Sequence, residues 1–223
     1  LSAYFALTGY DIGMSTMGQA GHWGFIGPEW ASAAATPGAW YKFYATEGGV
    51  RVPLIIAGPG QEPVRVTSPA MISDIAPTLL DWAGVEPITG DSAKVMTGRS
   101  LRPVLTGQVT SAYAPDEARV IEVSGNTAVY KGDYKITRSM PPRGDGQWRL
   151  FNLASDAGET TDLNASEPET LSDLLSEYDA YAARVGVLEM PEGYDSSRAL
   201  LSNTRARILD NYPWLYGNPR DGA

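Results

Sequence analysis

A lysine that precedes a double glycine is the part of this sequence best suited to chemistry. Lys42 is followed by Gly48-Gly49. A lysine ammonium is a compact positive charge with three hydrogen-bond donors, so it can bind anionic oxygens. Paired glycines permit positive φ and let the backbone approach a ligand or a neighbouring strand closely. On spacing alone, a solvated surface lysine and an ordinary turn are the usual explanation of the same residues.

The element that must position this lysine is the apolar run at residues 50–57, which Gly58-Pro59-Gly60 closes. The run is short, β-branched and bounded by turn residues, so it predicts a buried strand. Loops that lead into such strands often carry the polar working groups of α/β enzymes. We therefore expect Lys42 to lie on a loop that is anchored from its C-terminal side.

The same residues resemble a known family. Lys42 with Glu47-Gly48-Gly49-Val50-Arg51-Val52-Pro53 is similar to the Lys-to-Gly-Gly-x-Arg-x-Pro segment of the type I, formylglycine-dependent sulfatases of the alkaline phosphatase superfamily. The resemblance implies that Lys42 is catalytic and binds the sulfate group of a sulfate ester substrate beside a metal. His22 lies upstream, in a region that faces the substrate in this family, so it is a second candidate substrate-binding residue. A structural or surface histidine is the alternative for His22.

A helix is predicted over residues 68–85. Its apolar residues fall on one face at helical spacing: Ile72, Ile75, Ala76, Leu79, Leu80 and Ala83. Asp74 is the expected N-cap, and Gly84 ends the helix. The segment resembles the sulfatase helix at this place, and we expect its apolar face to pack against the sheet. Gly98-Arg99-Ser100-Leu101 extends the resemblance as a structural connector.

From residue 119 onward the pattern changes to short strands separated by turns that contain glycine. The predicted strands cover residues 119–124, 127–131, 134–138 and 148–152, and they would pair as an antiparallel sheet. Ser166-Glu167-Pro168-Glu169 predicts a capping box that opens a long helix, which Gly186 ends. The apolar stripe of that helix comprises Leu171, Leu174, Leu175, Tyr178, Ala182 and Val185. Residues 150–163, with Glu159, resemble the C-terminal signature of the sulfatases.

These patterns predict an α/β (α+β) fold, in which the end of a mixed sulfatase-type sheet precedes a small antiparallel sheet packed by one long amphipathic helix. Residues 1–110 would form the C-terminal portion of the main domain, with the sulfate-site loop, a strand and a helix. Within them, residues 1–39 predict a long loop with one short helix near residues 30–35. Residues 111–188 would form the sheet-plus-helix subdomain, and residues 189–223 an aromatic tail that wraps over the body.

Composition limits the class of protein. The chain has 223 residues, of which 43% are hydrophobic and 19% are charged, as expected for a folded protein. Its formal net charge of -9 argues against a nucleic acid partner. No apolar run is long enough to span a bilayer. Cysteine is absent and His22 is the single histidine, which excludes thiolate and multi-histidine metal sites within the chain.

The resemblance covers only the C-terminal part of a sulfatase, from about residue 23 to residue 185. The N-terminal part of the family supplies the metal ligands and the formylglycine nucleophile, and neither has a counterpart in this sequence. The expectation is therefore a C-terminal fragment of a sulfuric ester hydrolase that is inactive alone and has the missing N-terminal part as its partner. Calcium, or another divalent cation, would be bound in the full-length enzyme and not by this chain. The same resemblance implies a periplasmic or secreted location.

One short motif imitates the family nucleophile. Ser139-Met140-Pro141-Pro142-Arg143 fits the (Cys/Ser)-x-Pro-x-Arg pattern in which the Cys or Ser becomes formylglycine. In the family that motif lies far upstream of the lysine segment, at the start of a helix. Here it falls between two predicted strands and is followed by Gly144-Asp145-Gly146. We therefore interpret Ser139 as an ordinary loop serine.

Two other functions remain open. A phosphonate or phosphate monoester hydrolase of the same superfamily would share the metal site and much of the scaffold. A non-catalytic binding module, with the loop of residues 1–39 as its binding face, is the alternative from another class. Calcium binding by the full-length protein would favour an enzyme.

Overall fold

The computed structural model describes residues 11–22, 24, 26–58, 62–88, 96–195, 198–199 and 202–203. The chain forms two units, one of Leu1–Arg51 with Ala118–Ala223 and the other of Val52–Glu117. The first unit contains the β-sheet and the longest helix. The described part of the second consists of short helices and irregular segments.

A four-stranded antiparallel sheet organises the first unit. Its strands β1 (Arg119–Val123), β2 (Asn126–Lys131), β3 (Tyr134–Arg138) and β4 (Trp148–Asn152) lie side by side in chain order. Between β1 and β2, Ser124 and Gly125 have φ of 51° and 80°, the left-handed pair that suits a two-residue hairpin. The prediction of four short antiparallel strands is confirmed.

The longest helix, α5 (Pro168–Val185), packs on one face of this sheet. The core between them consists of Val129, Ile136, Leu150, Leu174 and Tyr178. Gly186, at φ 72°, ends the helix as predicted. The predicted capping box is wrong: Glu167 occupies the N-cap position without a side-chain cap, and the Ser166 hydroxyl donates to the Leu163 carbonyl instead. The sheet with one covering helix confirms the α+β layer.

Two short helices precede the sheet in the first unit. Helix α1 (Gly27–Ala34) confirms the short helix predicted near residues 30–35, although it begins earlier because Pro28 suits the first turn. Helix α2 (Glu47–Val50) is a single turn that contains the double glycine. A 3-10 turn at Met14–Thr16 is the remaining regular element in the described part of residues 11–51.

The strand predicted over residues 50–57 is wrong. Val50 ends α2, and residues 51–58 pair with no strand in the described part of the chain. Val52 and Ile55 are 77% and 89% exposed. A β-strand is stabilised by backbone hydrogen bonds to a neighbour, and the described residues offer this segment no neighbour. The apolar residues of this run are therefore exposed, although their pattern predicts a buried strand.

The second unit is organised around a buried aspartate. Helix α3 (Ile75–Ala83) follows a 3-10 turn at Ile72–Asp74, and Gly84 ends it at φ 63°, as predicted. Asp74 occupies the N-cap position but is not a side-chain cap of α3. Its carboxylate accepts hydrogen bonds from the Met71 and Arg99 N–H groups and from the Tyr113 hydroxyl. The connector at residues 98–101 is thus tied to the start of α3, and its structural role is confirmed.

The apolar face of α3 does not pack as predicted. Ile72 and Leu79 are 85% and 59% exposed, whereas the polar Thr78 is buried and accepts a hydrogen bond from the Leu101 N–H. The reason is that this unit contains no sheet among its described residues. A second short helix, α4 (Arg102–Leu105), contributes the buried Val104.

The aromatic residues of the predicted wrapping tail, at positions 212, 214 and 216, lie outside the described residues. In the part of the chain that the structure describes, no helix combines the length and the apolar character needed to cross a membrane.

Candidate functional site

Lys42 lies on the loop between α1 and α2, and its side chain is exposed. Its Nζ atom is 5.4 Å from the centroid of the Phe43 ring, a cation–π contact. Among the described residues, no carboxylate lies within ion-pair distance of Lys42. The loop therefore presents a positive charge that the described part of the protein does not neutralise.

The part of the loop that follows Lys42 is fixed to the sheet. Tyr44 and Ala45 are buried. The Asn126 side-chain amide, at the start of β2, donates a 2.9 Å hydrogen bond to the Phe43 carbonyl. The loop is therefore anchored from its C-terminal side, as the sequence predicts, but by the sheet of the first unit rather than by a following strand.

Gly48 and Gly49 must be glycines because a side chain would not fit at either position. A Cβ atom on Gly48 would overlap the carbonyl oxygen of Trp40, and one on Gly49 would overlap that of Tyr44. Neither glycine is among those with positive φ. Close approach of the backbone, rather than a left-handed conformation, thus explains Gly48-Gly49: the loop folds back onto the turn of α2.

A buried ionic network holds the end of the loop. The Lys135 Nζ, on β3, lies 3.0 Å from the Glu47 Oε1 and 2.7 Å from the Glu159 Oε1. The Tyr130 hydroxyl donates to the same Glu47 oxygen at 2.7 Å, and the Glu47 N–H donates to the Glu159 Oε2 at 2.8 Å. All three charged side chains are at most 6% exposed. The network joins α2, the sheet and the sulfatase-like signature after β4.

The two carboxylates of this network differ in pKa. Burial alone would raise the pKa of Glu47, but the Lys135 ammonium and the Tyr130 hydroxyl outweigh it, so its pKa lies below the ordinary value. At Glu159 burial prevails over Lys135, and the pKa of this carboxyl is raised. Burial and the neighbouring Glu47 also raise the pKa of Tyr130. Glu47 is therefore the carboxylate that the network holds ionised most firmly.

The network lies on the face of the sheet opposite α5. Successive residues of a strand point to opposite faces, so Lys135 faces away from the core that contains its neighbour Ile136. The residues of the Lys42 loop cover this second face, which explains why Lys135 is fully buried. Both faces of the small sheet are thus covered, one by apolar contacts and one by an ionic network.

A cavity of about 400 Å³ adjoins the network. Its wall comes from the Lys42 loop, from β3 and β4, and from the loop that joins these strands. Among the lining residues are Trp40, Thr46, Ser139, Arg143 and Glu159. The cavity thus combines aromatic, hydroxyl, cationic and anionic groups next to the candidate sulfate-binding loop.

Ser139 lies directly after β3, in the loop that leads to β4, as the sequence predicts. The residue is 5% exposed, and a hydrogen bond from the Gly146 N–H to the Ser139 carbonyl closes the loop. It is not at the start of a helix. The interpretation of Ser139 as an unmodified serine stays a prediction.

His22 is half-buried near the beginning of the described residues. Its Nδ1 atom lies 3.0 Å from the Thr16 hydroxyl, and its backbone forms an isolated bridge with Asp11. These contacts occupy one ring nitrogen in a local turn. A substrate-binding role for His22 stays a prediction.

The described residues do not fit the divalent cation that the resemblance implies. No group of three or more His, Cys, Asp or Glu side chains among them could hold a metal ion. The buried carboxylates near the loop, Glu47 and Glu159, are already neutralised in part by Lys135. Lys135 places an ammonium where a cation would need free carboxylate oxygens.

Comparison with known proteins agrees with the residue pattern. A sequence profile of the family described as Sulfatase matches residues 15–85, which include Lys42 and the double glycine. An uncharacterized sulfatase of Schizosaccharomyces pombe is 28% identical over 199 residues, which cover 83% of this chain. Both comparisons thus show that the chain is similar to the sulfatase family.

These relatives are much longer than the chain. Arylsulfatase K of Danio rerio is 31% identical over 60% of the chain, and choline-sulfatase of Rhizobium meliloti is 33% identical over 56% of it. The chain spans 34%, 26% and 24% of the lengths of the yeast, fish and bacterial relatives, respectively.

Solved structures show the same fold. The crystal structure of Ps i-CgsB in complex with k-i-k-neocarrahexaose matches 82% of the chain with a TM-score of 0.56 at 20% identity, and 39% of that structure is covered. A structure reported for glycosaminoglycan metabolism by Bacteroides thetaiotaomicron matches 67% of the chain with a TM-score of 0.52, and 32% of it is covered. At this identity the likeness supports the fold alone.

The sequence predicts the loop of Lys42 but not the residues that anchor it. Glu47 and Glu159 were noted only as parts of motifs, and Lys135 was not noted at all. The strand pattern gives no signal for it, because Lys135 stands between Tyr134 and Ile136, at the alternate position where a polar, solvent-facing side chain is expected. A lysine is rarely buried unless it is paired, so its partners had to be known first.

Proposed function

We propose that this chain is the C-terminal part of an arylsulfatase-like sulfuric ester hydrolase, in which Lys42 binds the sulfuryl oxygens of a sulfate monoester. One observation carries the proposal: Lys42 is exposed and without a carboxylate partner among the described residues, while Glu47, five positions later, is locked to Lys135. The sulfatase profile covers this whole segment. Relatives named arylsulfatase and choline-sulfatase support a sulfate monoester as the substrate class.

The chemistry needs a fixed positive charge. A sulfate ester resists hydrolysis because its negative oxygens repel a nucleophile and the leaving oxygen must accept charge. Cations and donors aimed at those oxygens lower the barrier most when they are already in place before the reaction. Lys42 would donate hydrogen bonds to the sulfuryl oxygens, and the buried Glu47–Lys135 pair would keep its loop in position.

The remaining catalytic groups are assigned to sequence outside these 223 residues. A formylglycine nucleophile and a divalent cation, as the family resemblance implies, would belong to an N-terminal part of a longer protein. This chain spans at most 34% of the length of the three relatives compared, which supports that assignment. A periplasmic or secreted location is proposed on the resemblance alone, and cell fractionation of the longer protein would test it.

The experiment is steady-state kinetics on the longer protein with Lys42→Ala and Lys42→Arg. Loss of a contact made in the transition state should lower kcat by about 100- to 1000-fold. Lys42→Arg should not restore the rate, because a longer planar guanidinium places its charge differently. Arg184→Ala, which removes an exposed cation from the Tyr181 ring on α5, is the matched control and should leave the rate unchanged.

Thermal melts of the same variants separate a catalytic effect from a folding defect. An unchanged kcat in Lys42→Ala, with an unchanged melt, would contradict the assignment. An aryl phosphate assayed beside an aryl sulfate tests the substrate class, since a clear preference for the phosphate would overturn the sulfatase proposal in favour of the phosphate monoester alternative.

A further inference from the structure

Lys42 has a strained residue on either side. Trp40, two positions before it, and Phe43, directly after it, have φ of 58° and 81°. Large side chains rarely adopt this left-handed region. In the described ranges four non-glycine residues have positive φ, so half of them stand beside the candidate sulfate-binding lysine. A strained conformation persists only where its surroundings impose it, so the contacts of these two residues determine where Lys42 lies.

The strain at Phe43 belongs to a turn that contains Lys42. The Tyr44 N–H donates to the Tyr41 carbonyl at 3.3 Å, so Lys42 and Phe43 are the central residues of the turn. A φ near +80° at the second central position is typical of a type II turn, where glycine or asparagine is the usual residue. Burial of the ring does not offset the strain, since Phe43 is 46% exposed. Another group must therefore hold the turn.

Asn126, at the start of β2, is that group. Its Nδ2 atom donates to the Phe43 carbonyl at 2.9 Å and to the Val123 carbonyl at 3.2 Å. Its Oδ1 atom accepts from the Met140 N–H at 2.8 Å. Because an amide nitrogen only donates and an amide oxygen only accepts, the three partners fix the orientation of this fully buried side chain. The peptide group after Phe43 is thus held at its carbonyl by Asn126 and at its N–H by the turn.

We propose that Asn126 is a positioning residue for sulfate ester hydrolysis: it holds Phe43 in its left-handed conformation and thereby fixes the backbone from which Lys42 reaches the sulfuryl group. Asn126 is 0% exposed, so it acts through Lys42 and touches no substrate. The hold on the turn stands on the geometry of the first unit. Its effect on catalysis rests on the proposed hydrolase function.

The same amide ties a second loop to the first. Met140, which donates to Asn126, lies in the loop between β3 and β4. Three residues later in that loop, the guanidinium carbon of Arg143 lies 5.9 Å from the centroid of the Trp40 ring and 5.1 Å from that of the Tyr41 ring. These cation–π contacts hold the strained Trp40 from the side. The loop that provides them is itself held by Asn126.

The chemistry explains why the turn would need such a hold. A lysine side chain is a flexible four-carbon stem, and that of Lys42 is exposed, so the protein can fix its charge only through the backbone. A charge stabilises a transition state best when it is in place before the reaction. Displacement of such a group by about 1 Å can lower the rate about 100-fold. The strain beside Lys42 is thus expected of a preorganised site.

The first experiment measures hydrogen exchange in the 223-residue chain at neutral pH. Asn126→Asp replaces the donor that faces the Phe43 carbonyl with an acceptor, so the N–H groups of Tyr44 and Gly48, which are bonded within the loop, should exchange at least about tenfold faster. Asn164→Asp is the matched control, because the Asn164 amide donates to the Trp148 carbonyl at the start of β4. It should leave both rates unchanged. Equal rates in Asn126→Asp and the wild type would contradict the hold.

The second experiment is a double-mutant cycle by steady-state kinetics on the longer protein. Asn126→Asp should lower kcat by about 10- to 100-fold and raise KM by a smaller factor. In a Lys42→Ala background the same substitution should have little further effect on kcat, because the group that it positions is already absent. A merely structural asparagine would lower kcat by the same factor in both backgrounds, and that result would refute the positioning role.

Phe43 provides a test that does not depend on the folding of Asn126→Asp. Phe43→Gly and Phe43→Leu both remove the ring beside the Lys42 Nζ, but only glycine relieves the strain at φ 81°. Phe43→Gly should therefore melt no lower than Phe43→Leu. It should nevertheless have a kcat about tenfold lower and faster exchange at Tyr44, since the relaxed turn no longer fixes Lys42. Equal kcat values and equal exchange rates in the two variants would overturn the proposal.

The outcomes separate this inference from the proposed function. If Lys42→Ala loses its rate while Asn126→Asp and Phe43→Gly keep theirs, the hydrolase stands and the positioning role is wrong. If Lys42→Ala keeps its rate, the proposed role of Lys42 fails, and the catalytic role of Asn126 fails with it. The exchange rates of the chain then still decide whether Asn126 holds the turn.

Discussion

Glu47 and Lys135 are 88 positions apart in the sequence, yet their side chains form a 3.0 Å ion pair from which solvent is almost excluded. Glu47 begins α2 at the end of the Lys42 loop, and Lys135 lies in the middle of β3. Because Lys135 also pairs with Glu159, one ammonium faces two carboxylates. The position of the loop therefore depends on a charge that lies in the sheet.

Lys135→Met should destabilise the chain strongly. The substitution keeps the volume of the side chain but leaves Glu47 and Glu159 buried without their cation, a loss of about 3–5 kcal/mol in similar buried pairs. Urea denaturation of the chain measures the loss. Lys131→Met is the matched control, since Lys131 pairs with Asp173 and Glu177 at the surface, where such contacts contribute under about 1 kcal/mol.

A second variant keeps this prediction testable if Lys135→Met does not fold. Lys135→Met combined with Glu159→Gln removes one of the two stranded negative charges, so it should recover part of the lost stability. Equal, small losses in Lys135→Met and Lys131→Met would contradict the importance of the buried network.

The pH dependence of stability should differ between the two carboxylates. The pKa of Glu47 is lowered by Lys135 and Tyr130 against the effect of burial, so its ionised form stabilises the fold above about pH 4.5 and that contribution is lost as the pH falls through the lower folded value. The pKa of Glu159 is raised by burial, so the sign is reversed. Its ionisation costs stability at neutral pH, and the cost is relieved as the pH falls through its raised value.

Amide variants report these opposite signs. Glu47→Gln should cost most stability at neutral pH, and the cost should shrink as the pH falls from about 4.5 through the lowered pKa of the folded chain, where the wild-type carboxylate also becomes protonated. Glu159→Gln should cost least at neutral pH and more as the pH falls. Denaturant melts of both variants and the wild type between neutral pH and about pH 3 provide the comparison. Parallel curves for the two variants would refute the assigned directions.

Gly48→Ala should disturb the loop more than an ordinary glycine substitution does. Its Cβ would overlap the carbonyl oxygens of Ala39 and Trp40, which belong to the backbone and cannot move aside without shifting the loop. We expect a loss of about 1–3 kcal/mol, as for other overpacked sites. Gly24→Ala is the control, because its Cβ would meet no atom within 4 Å. Melting temperatures that fall equally, or not at all, in the two variants would show that the close backbone contact at Gly48 has no energetic effect.

The sheet and the long helix could be predicted because local signals determine them. Turns that contain glycine, between β-branched runs, predict the four strands. The apolar stripe that includes Leu174 and Tyr178 predicts the helix. The run at residues 50–57 has the same local signals as a buried strand, but a strand also needs a partner, and no local pattern specifies one. The exposed Leu79 on α3 reflects the same limit.

Only those residues of the candidate site that lie close together in the sequence could be predicted. Lys42 and Gly48-Gly49 lie within a few residues of each other, so their spacing was visible. The partners Lys135 and Glu159 are distant in sequence and meet through the fold. A lysine in a strand is normally solvated, so its burial could be recognised only once the two carboxylates were located.

The chain alone should hydrolyse no sulfate ester and bind no calcium tightly. The reasons are that the described residues hold no metal-ligand cluster and that the sequence lacks the upstream nucleophile motif in its family position. An aromatic sulfate with added calcium provides the activity assay, and isothermal titration provides the calcium measurement. The longer protein serves as the positive control. Turnover by the chain above the buffer blank would contradict the division of catalytic groups proposed above.

Ser139 should be recovered as plain serine even though its motif imitates the family nucleophile. The residue follows β3 directly and is 5% exposed. Hydrogen bonds from the Gly144 N–H to the Met140 carbonyl and from the Gly146 N–H to the Ser139 carbonyl fold the loop back on itself. A nucleophile needs an open approach for its substrate and, in this family, a metal beside it, and the described residues around Ser139 provide no metal ligands as a group.

Mass spectrometry of tryptic peptides decides the state of Ser139. Cleavage after Arg138 and Arg143 releases the motif as a short peptide, and cleavage after Arg119 and Lys131 releases an internal standard that contains Ser124. Oxidation to formylglycine removes a pair of hydrogen atoms, so a modified peptide is lighter than its calculated mass and reacts with a hydrazine probe. We expect both peptides at their unmodified masses, also when the chain is produced together with a formylglycine-generating enzyme. A lighter peptide at Ser139 alone would show that the loop is a true modification site, and the nucleophile would then have to be sought within this chain.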